Sequence, residues 1–405
     1  MQGNNYEDVR RHNLSAILRL VHRDGTALRS ELTRRTGLNR STTGALVAEL
    51  VGLGLVEERG PDTRSQVGRP STIVAVSDDV VAFAVNPEID AVTIGMVGLD
   101  GSVHRRIRRQ TEHSPSVAEA VDIASEAITE LRRELGAGRR IAGIGVAVPG
   151  IVRAQDGLVR LAPHLGWVDE PVAERLAQAT GHPVYAANDA SLGAMAERYF
   201  GAGKGITDLI YLNGGASGIG GGLVIGGAAV GGISGYAGEF GHTRVSTSHR
   251  TDSAGISGTL EAEVTRSGLL AALGLHAADP DELERALLTS HAPAVRAEVG
   301  RQLDYLAVTL GGAINVLNPQ LVVLGGFLAS LHAADPERLL AGVKAAALPA
   351  HFAGVEVCAA ELGSNLLMIG AAELAFEPLL GDPGGFLAPG WGRGRATQDA
   401  GGTSG

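Results

Sequence analysis

The residue types suited to chemistry fall in two regions of this 405-residue chain. Near the amino terminus, Arg40, Ser41, Thr42 and Thr43 follow Asn39 at the start of the run RSTTGALVAELVGLG. Short hydroxyls and an arginine on the first turn of a helix can reach base edges and phosphates when that turn enters a major groove. Farther along, Asn188 and Asp189 close the apolar run PVYAAND. That is the carboxyl end of a strand, where open α/β sheets hold their ligands, although both residues could simply cap the helix that follows. Glu239 and His242, three apart beside Gly238 and Gly241, are either ligand groups or a surface pair.

Elements must present these groups. Leu14, Ile17, Leu18 and Val21 fall on one helical face that Asp24-Gly25 ends, and a second helix from about Leu28 to Thr36 stops at Gly37. Asn39 caps a third helix, with Leu46, Val47, Leu50 and Leu53 as its buried stripe. Leu28 stands where a capping hydroxyl would help the second helix, and Gly44 weakens the third by about 1 kcal/mol relative to Ala. Two strands, LVEERG and STIVAVS, flank a loop holding Arg64 and Arg69, which would form a wing; Arg29 lies at the start of the second helix. From residue 79 the texture becomes apolar strands alternating with Ala-rich helices, which predicts a sheet covered on both faces. VVAFAVN, AVTIGMVGLDG, SVHRRIRR, IAGIGVAVPG, PVYAAND and LVVLGG are the strands, with Asp100-Gly101 a hairpin turn.

Composition bounds the function. Residues 1–76 hold 11 arginines against eight acids, +3, leaving −13 for the remainder of a total of −10. A small basic head on a large acidic body permits nucleic-acid contact by the head alone. With no apolar run of membrane-spanning length and no secretory start, the chain is expected in the cytoplasm and away from membranes. The single Cys358 can form neither an internal disulfide nor a cysteine zinc site.

Taken together, TGLNRSTTGALVAELVGLGLV with GRP at 68–70, GVAVPG, LAPHLGW, AANDA, GIGGGLVIGG, AGEFGHTRV, GTLE and NVLNPQLVVLGG resemble the ROK family (repressor, open reading frame, kinase) in its regulator branch. The resemblance covers residues 10–380. From its Gly, Pro and polar composition the stretch 384–405 is expected to be a disordered tail, and the resemblance implies an α/β protein with an N-terminal winged helix-turn-helix (1–78) and a two-lobed actin/hexokinase-like body (79–383). It also implies a sugar site at Asn188, Asp189, Glu239, His242 and Glu261. Carboxylates, an amide and an imidazole suit a ligand rich in vicinal hydroxyls and poor in charge. For the head, Arg29, Asn39, Arg40, Ser41, Thr42, Thr43, Arg64 and Arg69 are the candidate DNA contacts.

Two departures from the family matter. Asp189 matches the base of the family's kinases, but the DxGxT phosphate loop is replaced by Asn86-Pro87-Glu88-Ile89-Asp90. Both glycines are gone, and Glu88 and Asp90 bring negative charge where a triphosphate would sit. A like charge at 4 Å costs about 4 kcal/mol in an intermediate dielectric. No kinase activity and no cofactor are therefore expected. The family commonly carries a zinc held by the histidine of its GH motif and three cysteines; residues 252–259 here read DSAGISGT, without a thiolate. No metal is expected, and a looser 245–260 loop would follow. The expected function is a sugar-responsive DNA-binding regulator, by family habit a repressor. Its partners would be a double-stranded operator, a monosaccharide or derivative, and a second copy in a homodimer or higher oligomer. An active sugar kinase with a DNA-binding head, or a regulator blind to ligand, are the alternatives.

Overall fold

Leu14, Ile17, Leu18 and Val21 are buried on one side of helix α1 (Tyr6–Asp24) in a computed structural model that describes residues 6–60, 71–135, 139–215 and 218–385. The chain then runs through β1 (Thr26–Leu28), α2 (Arg29–Thr36), α3 (Arg40–Gly52), β2 (Val56–Arg59) and β3 (Ile73–Val76). Gly37 ends α2 in the left-handed region, and Leu28 gives that helix no side-chain cap. The small sheet has the order β1-β3-β2, one strand more than the hydrophobic pattern predicts. The extra strand spans only Thr26–Leu28, too short to show a period. The wing loop, with Arg64 and Arg69, lies outside the described residues, as does the tail from 386 on.

The body is built twice on one plan. Its first sheet contains β4 (Val80–Pro87), β5 (Ala91–Gly98), β6 (Val103–Gln110), β7 (Arg140–Val148) and β11 (Val184–Asn188), ordered β11-β7-β4-β5-β6. Helices α4 (Val117–Glu134) and α5 (Val172–Thr180) belong to this half, with a small three-stranded sheet of β8 (Ile151–Val152), β9 (Val159–Ala162) and β10 (Trp167–Glu170). The second sheet contains β12 (Leu209–Gly215), β13 (Gly218–Ile225), β14 (Ala228–Ala229), β15 (Leu321–Gly326) and β16 (Glu356–Ala359), ordered β14-β13-β12-β15-β16. In each, an antiparallel meander of three strands is followed by two strands added in parallel beside the first. Parallel addition requires a crossover, which α4 supplies in the first half.

Helix α6 (Asp189–Phe200) covers β12 and β13, α14 (Leu366–Gly381) covers β4 and β7, and the two helices pack on each other. The remaining helices, α7 (Leu260–Glu263), α8 (Arg266–Leu273), α9 (Pro280–Thr289), α10 (Pro293–Leu317), α11 (Phe327–Ala334), α12 (Pro336–Ala346) and α13 (Pro349–Phe352), enclose the second half. The close fit of α14 depends on missing side chains. A Cβ on Gly145 of β7 would stand 1.7 Å from the Ala371 carbonyl oxygen, and one on Gly370 would stand 2.5 Å from that of Leu192. Ala-rich faces let the backbones approach this far.

Head and body share one core. Ile17, Leu18 and Val21 of α1 fall in the same buried cluster as Val80, Leu99, Phe376 and Leu379. Around it, Ser15 donates to the Leu380 carbonyl at 2.6 Å, Arg19 pairs with Glu377, and Arg140 donates to the carbonyls of Leu53 and Gly54.

Candidate functional site

Strand β11 runs parallel beside β7 in register Asn188 to Val148, so the Asn188-Asp189 step emerges at the carboxyl edge next to the Pro149-Gly150 turn. The Asn188 amide donates to the Gly150 carbonyl at 3.1 Å, and its oxygen accepts the Ser191 amide at 2.9 Å. Asn188 is thus both the cap of α6 and part of the cavity wall. Asp189 opens α6 and accepts the Ala190 amide at 2.8 Å. Burial pushes its carboxyl up to about 7; the Ala190 hydrogen bond opposes this and the charge of Glu239 adds to it.

The opposite wall comes from the second half. Glu239 and His242 bracket a single 3-10 turn after Gly238, with His242 Nε2 3.9 Å from Glu239 Oε2. Burial raises Glu239, helped by Glu261 against the counter-effect of His242. Glu261 sits in the first turn of α7, whose cap is Thr259. Its Oε2 accepts the Ile219 amide at 2.9 Å, and its Oε1 accepts the Ser253 amide at 3.1 Å and hydroxyl at 2.5 Å. Gly218, at φ +119°, permits this: a Cβ there would fall 2.0 Å from the carboxylate.

All five predicted residues line one cavity of about 250 Å³. Among the described residues its wall holds no arginine or lysine; it is made of carboxylates, imidazoles, Asn188, Asn213, Ser253, glycines and apolar groups such as Ile219. Such a wall accepts hydrogen bonds from hydroxyls and repels anions. His164 also lines it, with a buried Nε2 that has no protein partner. Its position in LAPHLGW carries no local pattern that marks it as a ligand group; the fold alone brings it in.

At the β4–β5 turn, Arg108 pairs with Glu88 at 3.1 Å and Asp90 at 2.8 Å, while Thr93 donates to Glu88 at 2.5 Å and the Glu88 amide to the Ala91 carbonyl at 2.7 Å. The turn is closed on itself and acidic, a poor fit for a triphosphate. The 245–260 segment is likewise not the loose loop expected from its missing thiols. Val245 and Ser246 donate to the Gly258 carbonyl, Gly258 to that of Arg250, and Ser246 and Ser248 to Glu263. A zinc does not fit there, because His242 Nδ1 is taken by Asp252 at 2.8 Å and no group of three His, Cys, Asp or Glu among the described residues could hold a metal.

In the head, Arg40 and Ser41 are exposed at the start of α3, with Thr42 half-buried behind them. Asn39 is committed to the helix, accepting from the Thr42 amide at 2.8 Å and the Ser41 hydroxyl at 2.7 Å. Thr43 corrects the expectation: it is fully buried and donates to the Asn39 carbonyl, because the helical period turns it toward the Leu46–Val47–Leu50 stripe. It cannot reach DNA. Arg29 is turned to Glu58 on β2.

Comparison with known proteins settles the lineage. The model of the ROK family matches residues 89–377. The chain belongs to the ROK family. Within it, the chain is 24% identical to the xylose repressor of Caldicellulosiruptor bescii, over 94% of this chain and 99% of that protein. It is also 24% identical to the xylose repressor of Bacillus subtilis, over 92% and 97%. A glucokinase from Halalkalibacterium halodurans is 31% identical but aligns with only 53% of this chain. A solved ROK family transcriptional regulator, described as a homologue of the E. coli MLC protein, superposes with a TM-score of 0.76 over 92% of this chain and 97% of that one, at 19% identity. The body therefore has the ROK sugar-kinase-like α/β fold. No helix among the described residues is long and apolar enough to cross a membrane.

Proposed function

We propose that this ROK protein is a sugar-responsive transcriptional repressor. Its first 78 residues act as a winged helix-turn-helix that reads an operator through the start of α3, and its body binds an unphosphorylated monosaccharide without phosphorylating it. The observation that carries this reading is alignment over 94% and 92% of the chain with proteins named as xylose repressors, where glucokinases align with 53% and 71% of it. Asn188, Asp189, Glu239, His242 and Glu261 would hold the sugar, and Arg40, Ser41 and Thr42 the DNA. Two heads reading half-sites imply a homodimer. The sugar must favour one conformation over the other for binding to alter operator affinity.

The loop at 86–90 supports a non-enzymatic role, since Arg108 of β6 offsets only one of the two charges of Glu88 and Asp90 and the turn stays acidic where a triphosphate would sit. A second reading, an active sugar kinase, draws on Asp189, whose carboxyl at about 7 is poised to take a proton from a hydroxyl. Selection of bound fragments from genomic DNA, with and without D-xylose or D-glucose, tests the first; enrichment of no sequence would sink it. A coupled ATP-consumption assay tests the second, which revives if turnover occurs and Asp189→Asn abolishes it.

A further inference from the structure

Residues 250–259 fold into a tight turn closed by bridges between Thr251 and Ser257 and between Arg244 and Thr259. Inside it, the Asp252 side chain has no solvent exposure. Its Oδ1 accepts the amides of Ala254 at 2.9 Å and Ile256 at 2.8 Å. Its Oδ2 accepts the Thr259 hydroxyl at 2.9 Å and meets His242 Nδ1 at 2.8 Å. Four contacts match the acceptor capacity of one ionised carboxylate. Burial alone would raise its pKa, but the bonds from His242, Ile256 and Thr259 outweigh it and hold Asp252 below the usual aspartate range.

An ionised carboxylate only accepts, so the hydrogen between the two residues must sit on His242 Nδ1. When the ring is neutral, Nε2 then carries the lone pair, and Nε2 is the nitrogen nearer Glu239 on the cavity wall. We infer that Asp252 is a positioning residue of the cavity: it fixes the Nδ1–H tautomer of His242 and holds the ring so that Nε2 accepts from a ligand hydroxyl. Its neighbour Ser253 supports the same wall by donating amide and hydroxyl to Glu261. One backbone turn thereby aims the imidazole through Asp252 and the acid beside it through Ser253. The final step, the ligand hydroxyl, rests on the sugar reading; the tautomer does not.

The test uses the full chain labelled with ¹⁵N-histidine, at alkaline pH where the ring is neutral, with His242→Gln to assign the resonance. The expected wild-type signature is a protonated Nδ1 and an unprotonated Nε2, with Asp252→Ala moving the proton toward Nε2. Asp252→Asn, which keeps an oxygen acceptor and the side-chain volume, should retain more of the wild-type signature, and melting curves verify that both variants fold. Calorimetry with D-xylose and D-glucose supplies the second readout. A sugar that binds the wild type should bind Asp252→Ala about 10- to 100-fold more weakly, the range for losing a hydrogen bond to a charged group. Protonation at Nε2 in the wild type, or an unchanged tautomer in a folded Asp252→Asn and Asp252→Ala pair, overturns the inference. If the tautomer follows Asp252 but neither sugar gives heat, positioning stands and the sugar reading is what fails.

Discussion

His22 of the head lies with its Nε2 2.9 Å from Glu373 Oε2 of α14, both side chains almost wholly buried. Its Nδ1 meets the Leu99 carbonyl, and its ring stands edge-on to Phe200 at 5.5 Å. Phe200 closes the helix that Asp189 opens. One rigid element thus has the candidate sugar site at its first residue and the head at its last two, where Arg23 also stacks over Tyr199 at 4.4 Å.

Burial opposes the charge on His22, but Glu373 and the Leu99 carbonyl outweigh it and raise its pKa. A raised histidine contributes stability fully below the unfolded value near 6.5 and loses it as pH rises through the folded value. Thermal melting of the full chain should therefore decline across that window, and His22→Gln should flatten the decline. His22→Ala should cost about 3–5 kcal/mol by leaving Glu373 buried and unpaired; a change below 1 kcal/mol would contradict the pair.

Asp189 runs in the same direction with pH, but as a penalty on its charged form. Its carboxyl is raised from 3.8 to about 7, so the unliganded fold is penalised increasingly as pH climbs between those values. Asp189→Asn should be more stable to unfolding than wild type at pH 8, by an amount on the order of a few kcal/mol, and no more stable at pH 4. Calorimetric or urea unfolding at the two pH values checks it.

Arg40→Ala should weaken operator binding and lower the salt slope by about one phosphate contact, read by titration at several salt concentrations. Thr43→Val should leave operator affinity unchanged while lowering stability by about 1 kcal/mol, because the Thr43 hydroxyl serves only the Asn39 carbonyl.

The cavity wall, acidic and without arginine or lysine among the described residues, should discriminate against phosphorylated sugars. A bound sugar should lose at least about 100-fold in affinity on acquiring a phosphate, given about 4 kcal/mol per close like charge. Gly218→Ala should cost a comparable factor by displacing Glu261. Isothermal titration of matched sugar pairs settles both.

The strands and helices were legible wherever a period ran long enough: α1, α3 and the six named strands follow their apolar patterns. The five candidate site residues were named through their match to the family's motifs, and the fold brings them to one cavity; Gly218, Gly238 and Gly241 stand at close approaches where a Cβ would clash. Thr43 was misread because residue type suggests a contact while the helical period decides its direction. His164, on the cavity wall, and Asp252, behind His242, were missed because tertiary folding alone brings each to its place. The pairing of Glu88 and Asp90 with Arg108 was also hidden, resting on a cross-strand register that composition cannot state.

The continuous core formed by Ile17, Leu18 and Val21 with Phe376 and Leu379 has a consequence for how the molecule can signal. A module hung on a slack tether would be deaf to events in the body, whereas this one is bolted to it along an oily seam. Cutting the chain near residue 78 would leave two raw hydrophobic faces, and the excised piece should clump instead of gripping its operator. Whatever the sugar does to α6 and α14 must then reach the operator as a tilt of the whole head.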